Sequence, residues 1–168
     1  MWSQAKFLPA ACFVLLASSG AAQVKPGDAF PSLTAADLDG VVPATAGRVV
    51  LVDFWASWCS PCQASFPAYG RLQADYAGRG LVILAVSVDQ SPSAAAAFVR
   101  KLRPGFPTAV DRGQKLVRAV QVPTMPSSYL VGRDGRVRFI HAGFYGRRTE
   151  SELRQEIDVL LHEPAPPS

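Results

Sequence analysis

Metal-ligating side chains are scarce in this chain of 168 residues, which holds two histidines, two methionines and three cysteines. There is one Cys-x-x-Cys, at Cys59 and Cys62, and no second one. Beyond that pair only Cys12, His141 and His162 could serve as further zinc ligands, and they show no H-x₃₋₅-H spacing, so a tetrahedral structural zinc site is excluded. No apolar run reaches the roughly 20 residues of a membrane-spanning helix. Blocks of like charge are missing too. The net charge is +4, but Arg100, Lys101 and Arg103 fall on one expected helix and Arg147-Arg148 in a loop. No basic stripe interleaves with aromatics, which excludes a nucleic-acid surface. Internal repeats are absent.

What is present suits one domain with short extensions, since 49 % apolar composition supplies a single good core. The first 22 residues differ from the rest. Lys6 precedes an apolar stretch, Phe7-Leu8-Pro9-Ala10-Ala11-Cys12-Phe13-Val14-Leu15-Leu16-Ala17, and small residues follow through Ala21-Ala22. This is a secretory signal pattern over 1–22, with a retained short anchor as the alternative. Cys12 reads as a small apolar residue of that leader. Removal of the leader leaves Cys59 and Cys62 as the only thiols, which fits export to an oxidising compartment, the periplasm.

Hydrophobic period and punctuation lay out the remainder. A small hairpin is expected where Ser32-Leu33-Thr34-Ala35 and Val41-Val42 flank Asp37-Leu38-Asp39-Gly40. Residues 48–55 form a buried strand of the parallel-sheet kind, and a helix over 61–76 follows, kinked at Pro67. A second buried strand spans 81–88. Ser91-Pro92 then opens a helix over 93–103, with serine at the N-cap and proline at the first helical position. A short strand at 108–110 and a short helix at 114–120 come next. Strands at 127–131 and 136–142 are joined through Arg133-Asp134-Gly135. Thr149-Glu150-Ser151-Glu152 reads as a capping box opening a last helix, with Leu153, Ile157, Leu160 and Leu161 on its apolar face. Residues 163–168 form a disordered tail. The whole is an α/β fold with a mixed sheet.

Trp58-Cys59-Ser60-Pro61-Cys62 follows directly on the first strand. At the start of a helix two such cysteines stack one turn apart, the first outermost and exposed, the second beneath it. Unpaired N–H groups and the positive end of the helix dipole favour the thiolate, the form that attacks disulfides. A structural bridge of such short span stabilises little. Strand, Cys-x-x-Cys, helix therefore describes a dithiol redox centre.

Val52-Asp53-Phe54-Trp55-Ala56-Ser57-Trp58-Cys59-Ser60-Pro61-Cys62, Pro67 five residues on, and Thr124-Met125-Pro126-Ser127-Ser128 resemble thioredoxin. The leader, the Pro26-Gly27-Asp28 opening with its extra hairpin, and the insertion at 88–108 resemble the exported TlpA/ResA-like branch. The resemblance covers 24–162. It implies a thioredoxin fold, an exported thiol–disulfide oxidoreductase, protein thiol or disulfide clients such as apocytochrome c or copper-site cysteines, and a membrane-bound electron-donor protein. The dithiol carries the redox equivalents, so no cofactor is implied.

By the same resemblance Cys59 is the nucleophile, Cys62 the resolving thiol, and Asp53 a buried acid that takes the Cys62 proton; a strand-end surface aspartate is its plain alternative. Pro126 matches a cis-proline lying against the disulfide, and Met125 offers backbone groups to an extended client. Trp58, Ser60 and Pro61 border the site on the client side, and Trp55 and Trp58 are expected to pack around it. Pro123 reads as an ordinary turn proline. A glutamate that some members carry near the dithiol aligns with Gln90, which cannot shuttle a proton. Its neighbour Asp89 reads as a solvated turn residue, and His141 and His162 read as structural.

Two rivals stand beside this. A Cu(I)-delivery module would use the two thiolates as soft ligands, although no methionine–histidine cluster accompanies them. A peroxiredoxin-like peroxidase shares the Pro-Gly-Asp opening, but Ala56 occupies the position where its threonine or serine belongs.

Ser60 and Pro61 bring no basic side chain between the thiols, and Pro61 brings no N–H, so the Cys59 thiolate gains only what the helix start provides. The pair should therefore be reducing, with a potential nearer thioredoxin at about −270 mV than DsbA at about −120 mV. Equilibration in glutathione buffers followed by thiol alkylation measures it, and a value close to that of DsbA would make the dithiol an oxidant.

Overall fold

The computed structural model describes residues 22–164. Residues 1–21 of the expected leader and 165–168 of the expected tail lie outside the described residues, while Glu163, the first residue of that tail, accepts from Arg133 through its carbonyl at 2.5 Å. Strand β2, Val49–Trp55, is buried along its whole length, as its unbroken apolar run requires of a strand covered on both faces. It pairs in parallel with β3, Leu81–Ser87, and antiparallel with β5, Ser127–Val131. β4, Thr108–Val110, continues the sheet beyond β3, and β6, Val137–Ala142, continues it beyond β5. With the two-residue β1, Asp39–Gly40, on β4, the strand order is β1-β4-β3-β2-β5-β6. Helix α1, Ser60–Tyr76, links β2 to β3, and α2, Pro92–Leu102, links β3 to β4. Helix α3, Lys115–Val120, precedes β5, and α4, Arg147–His162, follows β6.

Alternation along β2 sorts the core into two layers, because successive side chains of a strand point to opposite faces. Val49, Leu51 and Trp55 join Phe66, Tyr69 and Leu72 of α1, Phe98 of α2 and Leu153, Ile157 and Leu160 of α4. Val50, Val52 and Phe54 join Leu116 and Val120 of α3, together with Val24 and Leu33. The same alternation turns Asp53 towards the first layer, and it is fully buried there.

The expected N-terminal hairpin is not formed. Asp39 and Gly40 pair instead with Val110 and Ala109 on the edge of the main sheet. Further back, Gly27 and Phe30 donate to the carbonyls of Val137 and Gly135, and Ala29 bridges Arg136. One sheet edge thus takes up the backbone groups of Asp39 and Gly40 that a turn signal assigns to a local hairpin, and the other edge takes up the loop before it.

The last helix also starts differently. Its N-cap is Gly146, not Thr149. Thr149 lies within the first turn, where its hydroxyl accepts the Tyr145 N–H at 3.0 Å. Glu152, the other half of the expected box, is paired with Arg148 at 2.9 Å. Ser91 and Pro92 open α2 as expected, though the serine hydroxyl meets Ser93 Oγ at 2.9 Å and does not cap the helix.

Gly40 has φ +135°, and a Cβ there would come within 2.7 Å of the Thr108 carbonyl oxygen and 2.9 Å of Ala109 Cα. Both obstacles are backbone, so they yield only if β1 leaves β4. Gly40→Ala is expected to destabilise the protein by about 1–3 kcal/mol, read from the urea unfolding midpoint. An unchanged midpoint would show that β1 contributes nothing to the sheet.

Candidate active site

β2 ends at Trp55, and the chain turns through Ala56, Ser57 and Trp58 before α1 begins. Cys59 is the N-cap of α1 in an extended conformation, with proline in the first turn, and the Cys62 N–H donates to Cys59 Sγ at 3.2 Å. A sulfur in the capping position faces the unpaired N–H groups and the positive dipole end, both of which favour charge on that sulfur. The two cysteines form a disulfide with S–S 2.07 Å and Cα–Cα 5.3 Å. Cys59 is the outer partner, but it is 4 % exposed, against 0 % for Cys62. The expected order of the two sulfurs holds; the expected exposure of Cys59 does not, since it is buried with the first core layer.

Asp89 holds the loop that leads to Cys59. It accepts the Ser57 N–H at 2.9 Å, the Ser57 hydroxyl at 2.8 Å and the Ser87 hydroxyl at 2.8 Å. The expected solvated turn aspartate is a buried tie between the end of β3 and the loop before the dithiol. Gln90 is exposed beside it. The tryptophans also part company. Trp55 is fully buried, stacked on Phe98 at 4.4 Å and edge-on to Phe66 at 5.2 Å. Trp58 is 71 % exposed and does not pack around the site. Ser60 and Pro61 are exposed next to it.

Asp53 lies in the core below α1, which removes the surface-aspartate alternative. Its Oδ1 accepts the Tyr69 hydroxyl at 3.0 Å and the Ser128 hydroxyl at 2.8 Å. Tyr69 and Ser128 are themselves 2.7 Å apart. Oδ2 is buried without a partner. Burial pushes the Asp53 carboxyl up to about 7, and the hydrogen bonds from Ser128 and Tyr69 pull it back down. Burial, reinforced by the Asp53 charge, holds the Tyr69 hydroxyl well above its ordinary value, so it remains a donor.

The Met125–Pro126 peptide bond is cis. Pro126 is buried, its carbonyl accepting the Gly143 N–H at 2.7 Å, and Met125 is half-buried against both core layers. Among the described residues the backbone of Met125 makes no hydrogen bond. His141 contacts Glu156 at 2.7 Å and His162 the Asp158 carbonyl at 2.6 Å, away from the dithiol's own contacts. Among the described residues no group of three or more His, Cys, Asp or Glu is arranged to hold a metal.

Sequence reasoning missed Tyr69 and Ser128. Tyr69 stands seven residues after Cys62, two helical turns along one face, and that spacing was the available signal. Asp111 was missed as well; it caps α3 by accepting the N–H groups of Lys115 at 2.9 Å and Val117 at 2.8 Å.

A mixed sheet with a Cys-x-x-Cys at the first helix and a cis-proline before β5 defines a dithiol protein of thioredoxin fold. Known proteins agree. The Redoxin family model matches residues 25–157. The thiol-disulfide oxidoreductase ResA of Bacillus thuringiensis (strain Al Hakam) is 32 % identical over 114 residues, 66 % of this chain and 66 % of that protein, just under two thirds of its length. ResA of Bacillus thuringiensis subsp. konkukian (strain 97-27) is 31 % identical over 80 % of this chain and 78 % of its own. A crystal structure of a thiol:disulfide interchange protein assigned as DsbE, from Chlorobium tepidum, superposes with a TM-score of 0.73 and 31 % identity, covering 83 % of this chain and 99 % of that one. The chain belongs to the Redoxin family and, within the thioredoxin superfamily, to the TlpA/ResA-like thiol–disulfide oxidoreductases.

The raised carboxyl of Asp53 has a consequence for stability. Unfolded, the group titrates near 3.9; folded, near 7. Below pH 4 both states hold the proton. Between pH 4 and 7 the unfolded chain ionises and the folded chain does not, so this group's contribution is lost as pH rises and levels off above 7. The loss is on the order of 4 kcal/mol. Oxidised Asp53→Asn should therefore be more stable than wild type at pH 8 by a few kcal/mol and close to it at pH 4. Urea unfolding at the two pH values tests this, and equal stability at pH 8 would contradict a carboxyl held up by burial.

Proposed function

We propose that this chain is an exported thiol–disulfide oxidoreductase that reduces protein disulfides through Cys59 and Cys62. The observation that carries the reading is the asymmetry of the pair: Cys59 Sγ caps α1 and accepts an N–H, while Cys62 is fully buried one turn below. In the reduced protein the Cys59 thiolate attacks one sulfur of a client disulfide. A Cys59–client disulfide forms, and the client's other sulfur leaves as a thiolate that takes up a proton. Cys62 then gives its proton to Asp53 and attacks Cys59 Sγ. The Cys59–Cys62 disulfide forms, the remaining client sulfur leaves, and it is protonated in turn. Two electrons pass from the dithiol to the client.

Met125, with its unpaired backbone groups, and Pro126 would receive the client as an extended strand, with Trp58, Ser60 and Pro61 as the exposed border. Reduced dithiol is restored by a membrane-bound electron-donor protein, and the clients are exported proteins such as apocytochrome c or copper-site chains. Residues 1–22 act as the export leader into the periplasm, 24–162 as the catalytic domain and 163–168 as a tail. No helix among the described residues is long and apolar enough to cross a membrane.

Cys62→Ala should accumulate mixed disulfides with clients in the envelope, and Cys59→Ala should accumulate none. Non-reducing gels of the two variants decide it: equal trapping by both overturns the assignment of attacking and resolving sulfurs.

A further inference from the structure

We infer that Tyr69 and Ser128 are positioning residues that pin Oδ1 of Asp53 and leave Oδ2 as the oxygen that exchanges a proton with Cys62, an inference that rests on the reductase reading above. The two hydroxyls reach the same carboxyl oxygen, at 3.0 and 2.8 Å, and among the described residues no group hydrogen-bonds the other. They come from different elements. Ser128 stands directly opposite Asp53 in the β2–β5 register, two residues after Pro126. Tyr69 lies on α1 two turns beyond Cys62, and both are fully buried. One helix therefore carries the resolving thiol and a hydrogen-bond donor to the acid.

The hydroxyls have a job that packing alone would not give them. Tyr69, Ser128 and Asp53 Oδ1 form a closed triangle of contacts, and the two hydroxyl protons can fill only two of its three sides at a time. Both protons can point at Oδ1 only when Asp53 is an anion or carries its proton on Oδ2. The triangle thus stabilises the anion on one side while burial of the bare Oδ2 favours its protonation on the other. The balance of those opposed effects leaves the carboxyl near 7. Without the donors, burial would keep Asp53 protonated across the neutral range, and it could not accept from Cys62.

The other surroundings add no charge. The β3 partner of Asp53 is Ala85, α4 presents Leu153, Ile157 and Leu160 to this layer, and α1 adds the Ser65 hydroxyl and Cys62 itself.

The test uses the full chain as wild type, Tyr69→Phe, Ser128→Ala and Ser128→Thr. The Asp53 carboxyl carbon is titrated by NMR in the oxidised proteins. In the reduced proteins a glutathione mixed disulfide is placed on Cys59, and its release by Cys62 is timed against pH. Loss of one hydroxyl should move the carboxyl midpoint up by about one pH unit and slow glutathione release at pH 7 about fivefold, with the rate recovering at higher pH. Ser128→Thr, which keeps the hydroxyl, should stay at the wild-type midpoint. Midpoints unmoved in both Tyr69→Phe and Ser128→Ala overturn the inference, as does a midpoint that moves while the release profile stays put. A wild type that releases no glutathione at any pH defeats the reductase reading itself, a result distinct from normal release with an unmoved midpoint.

Discussion

A carboxyl group buried in the first core layer is the constraint around which this site is organised. Asp53 occupies a position on β2 that alternation gives to the core, between Leu51 and Trp55, where an apolar side chain would otherwise sit. An ionised carboxylate there without compensation is costly. Two hydroxyls from α1 and β5 meet part of that cost and leave the rest unmet, because among the described residues only one of its two oxygens has hydrogen-bond partners. The partial compensation is what keeps the group able to change protonation near neutral pH.

The rest of the site is held by pieces that touch this acid or its neighbours. β5 brings Ser128 to Asp53 and carries the cis bond before Pro126 on the same stretch of chain. Helix α1 begins with the dithiol and returns through Tyr69 to the carboxyl. Asp89, the other buried acid nearby, plays a different part. Its side chain accepts from two serine hydroxyls and one backbone N–H of the loop before Cys59, so it fastens the loop with both of its oxygens bonded. Two buried aspartates close to one dithiol thus differ in whether an oxygen is left over.

The apolar runs of β2 and β3, the two-residue spacing inside the Cys-x-x-Cys and the Arg133-Asp134-Gly135 turn were legible because each depends on neighbours along the chain. The N-terminal hairpin and the Thr149 box were misread for the converse reason. Their local signals are sound, but the backbone and side-chain groups involved found partners on sheet edges and on other helices. Trp58 and Asp89 exchanged their expected environments, one exposed and one buried, since exposure depends on what folds over a residue and its own polarity does not settle that.

By itself the sequence determined that this is a mixed α/β domain with a dithiol at a helix start, and which sulfur is outermost, since strand, turn and helix at that point follow from adjacent residues. Tertiary structure alone decided that Tyr69 and Ser128, 16 and 75 residues from Asp53, close on a single oxygen of it. Sheet register and helix packing make that contact, and no periodicity along the chain encodes the distance between groups that meet only when the layers come together.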